Sequence, residues 1–198
     1  EKVLAAIEAF DPDKGAGPDG IKPIVLQHLN IEALLHLTDL YKASLALGYV
    51  PTVWRQSNCV FLSKPGKADY TKPDAFRPIS LMPFPWKTLE RLVLWHMEDT
   101  VLIEHPYHQR QFAFTRGRGT DAALSQLLDQ IESGVYNNQF VLVVFLDIKG
   151  AFNNLPKRVI IRALRRKGVP EWAIKWFEHY LTERTVTVTL KGSTVTLK

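Results

Sequence analysis

Apolar and polar positions along this chain follow two periods, and the switches between them predict its elements. Residues 1–10 repeat apolar positions at helical spacing and read as an amphipathic helix. The next stretch, Asp11-Pro12-Asp13-Lys14-Gly15-Ala16-Gly17-Pro18-Asp19-Gly20, is dense in turn formers and reads as a loop. Helical spacing returns over residues 24–29 and 31–47, and Gly48 and Pro51 close the second of these helices. Residues 58–63 form a short apolar run bounded by polar residues and Pro65-Gly66, which predicts a strand. A polar loop with two prolines leads to a second strand over 76–81, its proline at an edge or a bend. A helix over 87–102 has an apolar stripe through Leu89, Leu92, Val93 and Met97.

The second half continues in the same way. Residues 109–120 are a loop bearing glycine and arginine, and Thr120 is placed to cap a helix over 121–133. Residues 140–146 are continuously apolar, as expected for a strand buried on both faces. A turn region over 148–154 follows. A basic amphipathic helix over 156–167 then stops at Gly168, and another helix covers 171–181. Residues 185–190 and 194–197 alternate Thr with Val or Leu, joined as a hairpin through Lys191-Gly192-Ser193. Helices and a few strands are unevenly mixed, without repeats or low-complexity segments, which argues α+β.

Composition adds limits. With 198 residues, 46% of them apolar and 23% charged, the chain buries a core and holds one large or two small domains. Its longest apolar run is the seven residues 140–146, far short of a bilayer span, so no membrane partner is expected. No charged-then-apolar leader opens the chain, so no secretory signal is read. A net charge of +5 is compatible with a polyanionic partner without establishing one. The single cysteine, Cys59, excludes an internal disulfide framework and a cysteine-rich zinc site. It reads as a buried structural thiol of an intracellular protein. The six histidines show no metal-ligand spacing and read as structural. The chain opens inside a helix without Met and closes on a strand, and is expected to be a piece of a longer protein.

The residue with most chemical promise is Asp147, placed directly after the apolar run 140–146. A rigidly held carboxylate there is costly unless it is paired or binds a cation, and Mg²⁺ takes oxygen ligands of this kind. The same position also suits an Asp that caps the next helix. Gly150 and Ala151 are small enough for main-chain amides to approach a phosphate. Phe152 is either a core aromatic or a floor under a nucleotide sugar.

Phe145-Leu146-Asp147-Ile148-Lys149-Gly150-Ala151-Phe152 resembles the first palm motif of reverse transcriptases. Four further blocks follow the order of the non-LTR retrotransposon type. Lys14-Gly15-Ala16-Gly17-Pro18-Asp19-Gly20-Ile21 is similar to a segment near the start of the fingers. Val60-Phe61-Leu62-Ser63-Lys64-Pro65-Gly66-Lys67 and Phe76-Arg77-Pro78-Ile79-Ser80-Leu81 are similar to the two fingers strands. Gln111-Phe112-Ala113-Phe114-Thr115-Arg116-Gly117-Arg118-Gly119-Thr120 is similar to the link from fingers to palm. The resemblance covers about residues 14–198. One departure is Asn153, where relatives commonly have Asp.

The resemblance implies a right-hand polymerase fold, with helices around a small, mainly antiparallel sheet. Residues 1–135 would be fingers with an N-terminal extension. Residues 136–198 would be the start of the palm, with the rest of the palm and the thumb in a parent chain. It implies an RNA-directed DNA polymerase that binds an RNA template, a DNA primer and dNTP and uses two Mg²⁺ ions. Asp147 would bind both ions and Ile148 would offer its carbonyl. Gly150 and Ala151 would touch the triphosphate, and Phe152 would exclude a ribose 2′-hydroxyl. At the fingers hairpin, Arg77 has a planar fork suited to phosphate oxygens, and Lys64 offers a point charge that Lys67 or Lys72 could replace. Gln111, Phe114, Arg116 and Arg118 would contact the template. The cationic helix over 156–167 is either a solvated face or a contact for the template–primer duplex. Nuclear localisation follows from the same resemblance. The family also requires an Asp-Asp pair in a later hairpin. No Asp-Asp dipeptide occurs in these 198 residues, so the chain alone is expected not to polymerise. The competing reading is a nonenzymatic RNA-binding module that keeps the fingers fold.

Overall fold

The computed structural model describes residues 1–148, 150–151, 154–190 and 192–197. The described residues form eight helices: α1 (Lys2–Glu8), α2 (Pro23–Gln27), α3 (Ile31–Leu47), α4 (Phe84–Asp99), α5 (Val101–Glu104), α6 (Thr120–Tyr136), α7 (Lys157–Arg166) and α8 (Glu171–Tyr180). They also form four strands: β1 (Gln56–Ser63), β2 (Phe76–Leu81), β3 (Thr185–Leu190) and β4 (Ser193–Leu197). The α+β expectation holds.

Local chemistry explains the boundaries. The Asn30 side chain accepts a hydrogen bond from the Ala33 amide at 2.9 Å, capping α3. Gly48, at φ +61°, ends that helix with Tyr49 N–H donating to the Ser44 carbonyl and Gly48 N–H to the Leu45 carbonyl. That pair of bonds satisfies two orphan carbonyls, and it needs a left-handed residue where glycine is strain-free. The helix expected over 87–102 starts earlier and breaks at Thr100, whose hydroxyl donates back to the His96 carbonyl at 2.6 Å. Thr120 is the first residue of α6 rather than its cap; Gly119 takes the cap position without a side-chain bond.

The sheet runs β2-β1-β3-β4. β1 and β2 are antiparallel, from Asn58↔Leu81 to Ser63↔Phe76. The Lys64 N–H to Ala75 carbonyl bond, 2.8 Å, adds one further rung. β3 lies parallel to the first half of β1, from Gln56↔Thr185 to Cys59↔Val188, and antiparallel to β4. The alternating threonines meet as hydroxyl pairs, Thr187 with Thr196 and Thr189 with Thr194, each at 3.2 Å. Cys59 is buried, as expected of a structural thiol. The outer half of the β1–β2 hairpin stands clear of the body, with Val60, Phe61, Leu62 and Ile79 exposed.

The core lies under α3, α4 and α8. Trp86 stacks on Trp176 at 4.9 Å between ring centroids and on Tyr180 at 4.2 Å, ringed by Tyr41, Val50, Trp54, Met82, Leu89 and Val93. Trp176 donates to the Ser44 hydroxyl at 3.1 Å, whereas the Trp86 indole N–H is buried without a partner among the described residues. His179 is structural, as expected: its Nδ1 accepts from the Val50 N–H at 3.1 Å. Burial, with Arg55 nearby, holds its pKa below the usual histidine value and keeps that nitrogen free to accept.

Gly17 has a packing role that its motif does not advertise. A Cβ there would lie 2.5 Å from the Pro83 nitrogen and 2.6 Å from the Met82 carbonyl carbon. The loop of residues 11–20 docks backbone to backbone on the junction of β2 and α4. Gly17→Ala is therefore expected to destabilise the chain by about 2 kcal/mol, the cost of forcing atoms into a packed site. A urea-unfolding midpoint unchanged in Gly17→Ala would contradict this docking.

One expectation fails. The run 140–146 is not a buried strand: it is irregular, and Phe140, Leu142, Phe145 and Leu146 are all more than 80% exposed. A strand is buried only when neighbours hydrogen-bond to its edges and cover its faces. Among the described residues the four strands of the sheet pair with one another, and none pairs with this run. Val141 packs closely on α6: a Cβ on Gly134 would lie 2.5 Å from its side chain. α6, just before it, buries none of its own residues.

Candidate nucleotide and nucleic-acid site

The residues singled out from sequence fall into three groups. Lys64 and Arg77 share the β1–β2 hairpin. Leu62 is the register partner of Arg77, and Lys64 lies two residues on, so the pleat puts both cations on one face. The Lys64 ammonium donates to the Asp74 carbonyl at 2.8 Å, and Tyr70 closes the loop by donating to the Lys64 carbonyl at 2.8 Å. The Asp69 carboxyl in that loop is held below the usual carboxylate range by the Thr71 hydroxyl and then by the Thr71 N–H. Lys67 pairs with Asp74 at 3.5 Å and Lys72 with Asp69 at 3.5 Å, so both substitutes for Lys64 are engaged within the loop. Arg77 is exposed, and no ion pair among the described residues uses it.

Gln111, Phe114, Arg116 and Arg118 come together in a second group. The Arg118 guanidinium donates to the carbonyls of Gln109 and Gln111 and lies over the Phe112 ring, 5.8 Å from its centroid. It braces the loop while staying exposed at its surface. The Thr115 hydroxyl bonds the carbonyls of Gln111 and Ala113, at 3.2 and 3.3 Å. This bracing holds Phe114 at φ +57°, a conformation costing about 1–2 kcal/mol for a residue with a side chain. Its ring is 86% exposed. An aromatic strained into the open suits base stacking better than core packing.

Phe114, Arg116 and Arg118 line a cleft of about 950 Å³ with residues sequence reasoning missed: Lys2, Trp95, Glu98, Asp99 and Tyr107. Lys2 approaches Asp99 to 3.9 Å in this cleft. No sequence signal marked them, because α1 and α4 declare themselves through their buried stripes and the cleft uses the other sides.

Asp147 makes the third group. It is exposed, as is Ile148, at the end of the irregular run. Gly150 adopts φ +65° and Ala151 is exposed beside it, in a turn where the Asn154 N–H donates to the Gly150 carbonyl at 3.0 Å. Phe152 lies outside the described residues. Among the described residues no three of His, Cys, Asp or Glu cluster as a metal site. Asp147 is an oxygen donor of the kind Mg²⁺ takes, and a single carboxylate does not make a complete site. No helix of the described residues is long and apolar enough to cross a membrane.

Comparison with known proteins matches residues 63–197 to the family model described as reverse transcriptase (RNA-dependent DNA polymerase). The chain is 26% identical over 194 residues to the probable RNA-directed DNA polymerase from transposon BS of Drosophila melanogaster, covering 98% of the chain and 21% of that protein. It is 26% identical over 198 residues to the RNA-directed DNA polymerase from mobile element jockey of the same organism, covering all of the chain and 21% of the relative. It is 30% identical over 154 residues to the probable polymerase from transposon X-element, also of Drosophila melanogaster, covering 78% of the chain and 17% of the relative. The chain thus spans about a fifth of the length of these relatives, all of the non-LTR retrotransposon type. This chain belongs to the reverse transcriptase family.

Proposed function

We propose that residues 1–135 are the fingers and residues 136–198 the first part of the palm of an RNA-directed DNA polymerase. In this reading the hairpin face with Arg77 and Lys64 holds the triphosphate of an incoming dNTP. Gln111, Phe114, Arg116 and Arg118 contact the RNA template, and Arg118 also braces the loop they stand on. Asp147 and the Ile148 carbonyl are part of the Mg²⁺ site, and Gly150, Ala151 and Phe152 line the nucleotide next to it. Two Mg²⁺ ions would supply charge neutralisation at the reacting phosphate. The described residues do not complete their ligand set. These 198 residues alone are expected not to extend a primer paired to an RNA template.

The observation that carries the reading is the family match over residues 63–197 combined with the geometry of the 105–119 loop. The loop holds an open aromatic and an exposed guanidinium at one cleft. Titrating the chain with single-stranded RNA at several salt concentrations tests it. Affinity is expected to fall steeply with salt, and Arg116→Gln to reduce the logarithmic slope by about 0.7, the share of one phosphate contact on a single strand. An affinity independent of salt would rule out the template reading.

A further inference from the structure

The positive charge of this chain is concentrated in one place. Of its 25 basic and 20 acidic residues, seven basic and no acidic ones lie in residues 148–170, leaving 18 against 20 elsewhere. The excess belongs to α7 and its flanks.

Arg165 and Arg166 suit the C-terminal end of the helix dipole, but the rest of the charge runs against the local interest of α7. Acidic residues belong in the first turn of a helix, where they meet the positive end of its dipole; α7 has none there and carries Lys157 and Arg158 instead. Arg158 with Arg162, and Arg162 with Arg166, are like-charge pairs four residues apart, which oppose helix formation. Its packing does not require them. Ile161 and Leu164 bury its inner side against Val101, Val169, Ala173 and Ile174. Departures from local rules without a packing return mark functional positions.

The outer side is shaped as well as charged. Lys157, Arg158, Arg162 and Arg165 line a shallow groove of about 650 Å³ with Ile161 and Glu178. Arg165 is partly neutralised by Glu171 at 3.3 Å and Glu178 at 3.5 Å. Arg158 and Arg162 are exposed, stand about one helical turn apart, and enter no ion pair among the described residues. The C-terminal end of the helix adjoins the Arg116 cleft: Lys167 donates to the Pro106 carbonyl at 2.8 Å and lies 4.8 Å over the ring of Tyr107, which lines that cleft.

We propose that the outer face of α7 is a second nucleic-acid surface, binding the phosphodiester backbone of RNA through Arg158 and Arg162. It rests on the polymerase reading only for the choice of polyanion. The test uses the 198-residue chain, a short mixed-sequence RNA as single strand and as duplex, and phosphatidylserine vesicles. Arg158→Gln with Arg162→Gln should lower the salt slope by about 1.4 on the single strand and by at least as much on the duplex. The first figure corresponds to roughly 25-fold weaker binding at 0.1 M salt. A control that removes two exposed cations elsewhere, Lys22→Gln with Lys175→Gln, should leave affinity nearly unchanged. The unfolding midpoint of the α7 variant should stay level or rise, because repulsion is relieved. If the wild type binds RNA and the α7 variant binds it equally well, or no worse than the control, the α7 surface is refuted while the Arg116 cleft stands. Loss of vesicle binding with RNA affinity intact would assign α7 to membranes and also refute it. A wild type that does not bind RNA refutes both.

Discussion

Trp86→Ala is expected to remove about 3–5 kcal/mol of folding stability, as large-to-small changes at fully packed aromatic sites do. Trp86 is 0% exposed and stacks against both Trp176 and Tyr180, neighbours one turn apart on α8, so truncation empties the centre of the core shared by α3, α4 and α8. Natural domains hold only about 5–15 kcal/mol in reserve, so the variant is expected to be near the edge of folding. Phenylalanine at the two stacked tryptophans should then separate packing from hydrogen bonding. Trp86→Phe discards an indole N–H that has no partner among the described residues, which offsets part of its lost volume. Trp176→Phe also breaks the bond to the Ser44 hydroxyl, whose own hydrogen bond reaches the Tyr49 carbonyl at 2.6 Å. Urea unfolding should therefore rank Trp176→Phe as the more damaging of the two. The reverse order would mean that the hydrogen-bond partners of the two indoles are misassigned.

Much of this arrangement is legible in the residues themselves. Helical spacing with a capping Asn30 and a terminal Gly48 defines α3 without reference to the rest of the chain. The strand pair β1–β2 follows from two apolar runs around a proline-bearing loop, and the β3–β4 hairpin from its threonine alternation. Local rules were sufficient where the determinant is local. They fail at residues 140–146, because burial of an apolar strand depends on partners that its own residues cannot specify. They are silent on Gly17, whose requirement is imposed by Met82 and Pro83, more than sixty positions away.

The candidate site divides along the same line. Phe114, Arg116 and Arg118 were legible as a motif, and the structure gathers them on one loop. The motif assigns both arginines to the template; Arg118 also donates from one guanidinium nitrogen to the loop's own carbonyls while staying exposed at the cleft. Lys2, Trp95, Glu98, Asp99 and Tyr107 reach the cleft by tertiary packing of α1, α4 and the loop that follows, which no spacing rule describes. The basic character of α7 was plain in sequence; its relation to the cleft through Lys167 and Tyr107 was not.

The central claim is that this chain carries the fingers and first palm motif of an RNA-directed DNA polymerase, and Asp147 is where it is most exposed to refutation. A carboxylate that shares a metal site with the reacting phosphates acts on the transition state, so its loss is felt in rate rather than in folding. Asp147 is open to solvent and lies outside the core, so alanine there is expected to leave the unfolding midpoint and RNA affinity of the chain unchanged. The decisive measurement is primer extension on an RNA template, with Mg²⁺ and dNTP, by a polypeptide in which this chain is joined to the downstream region its relatives carry, with Asp147 intact and with Asp147→Ala. Extension by the first, and a fall on the order of a thousandfold or more in the second, is the expected result. Extension at an undiminished rate by Asp147→Ala would contradict the assignment of the palm motif. RNA binding without extension by the intact polypeptide would favour a nonenzymatic module on the same fold.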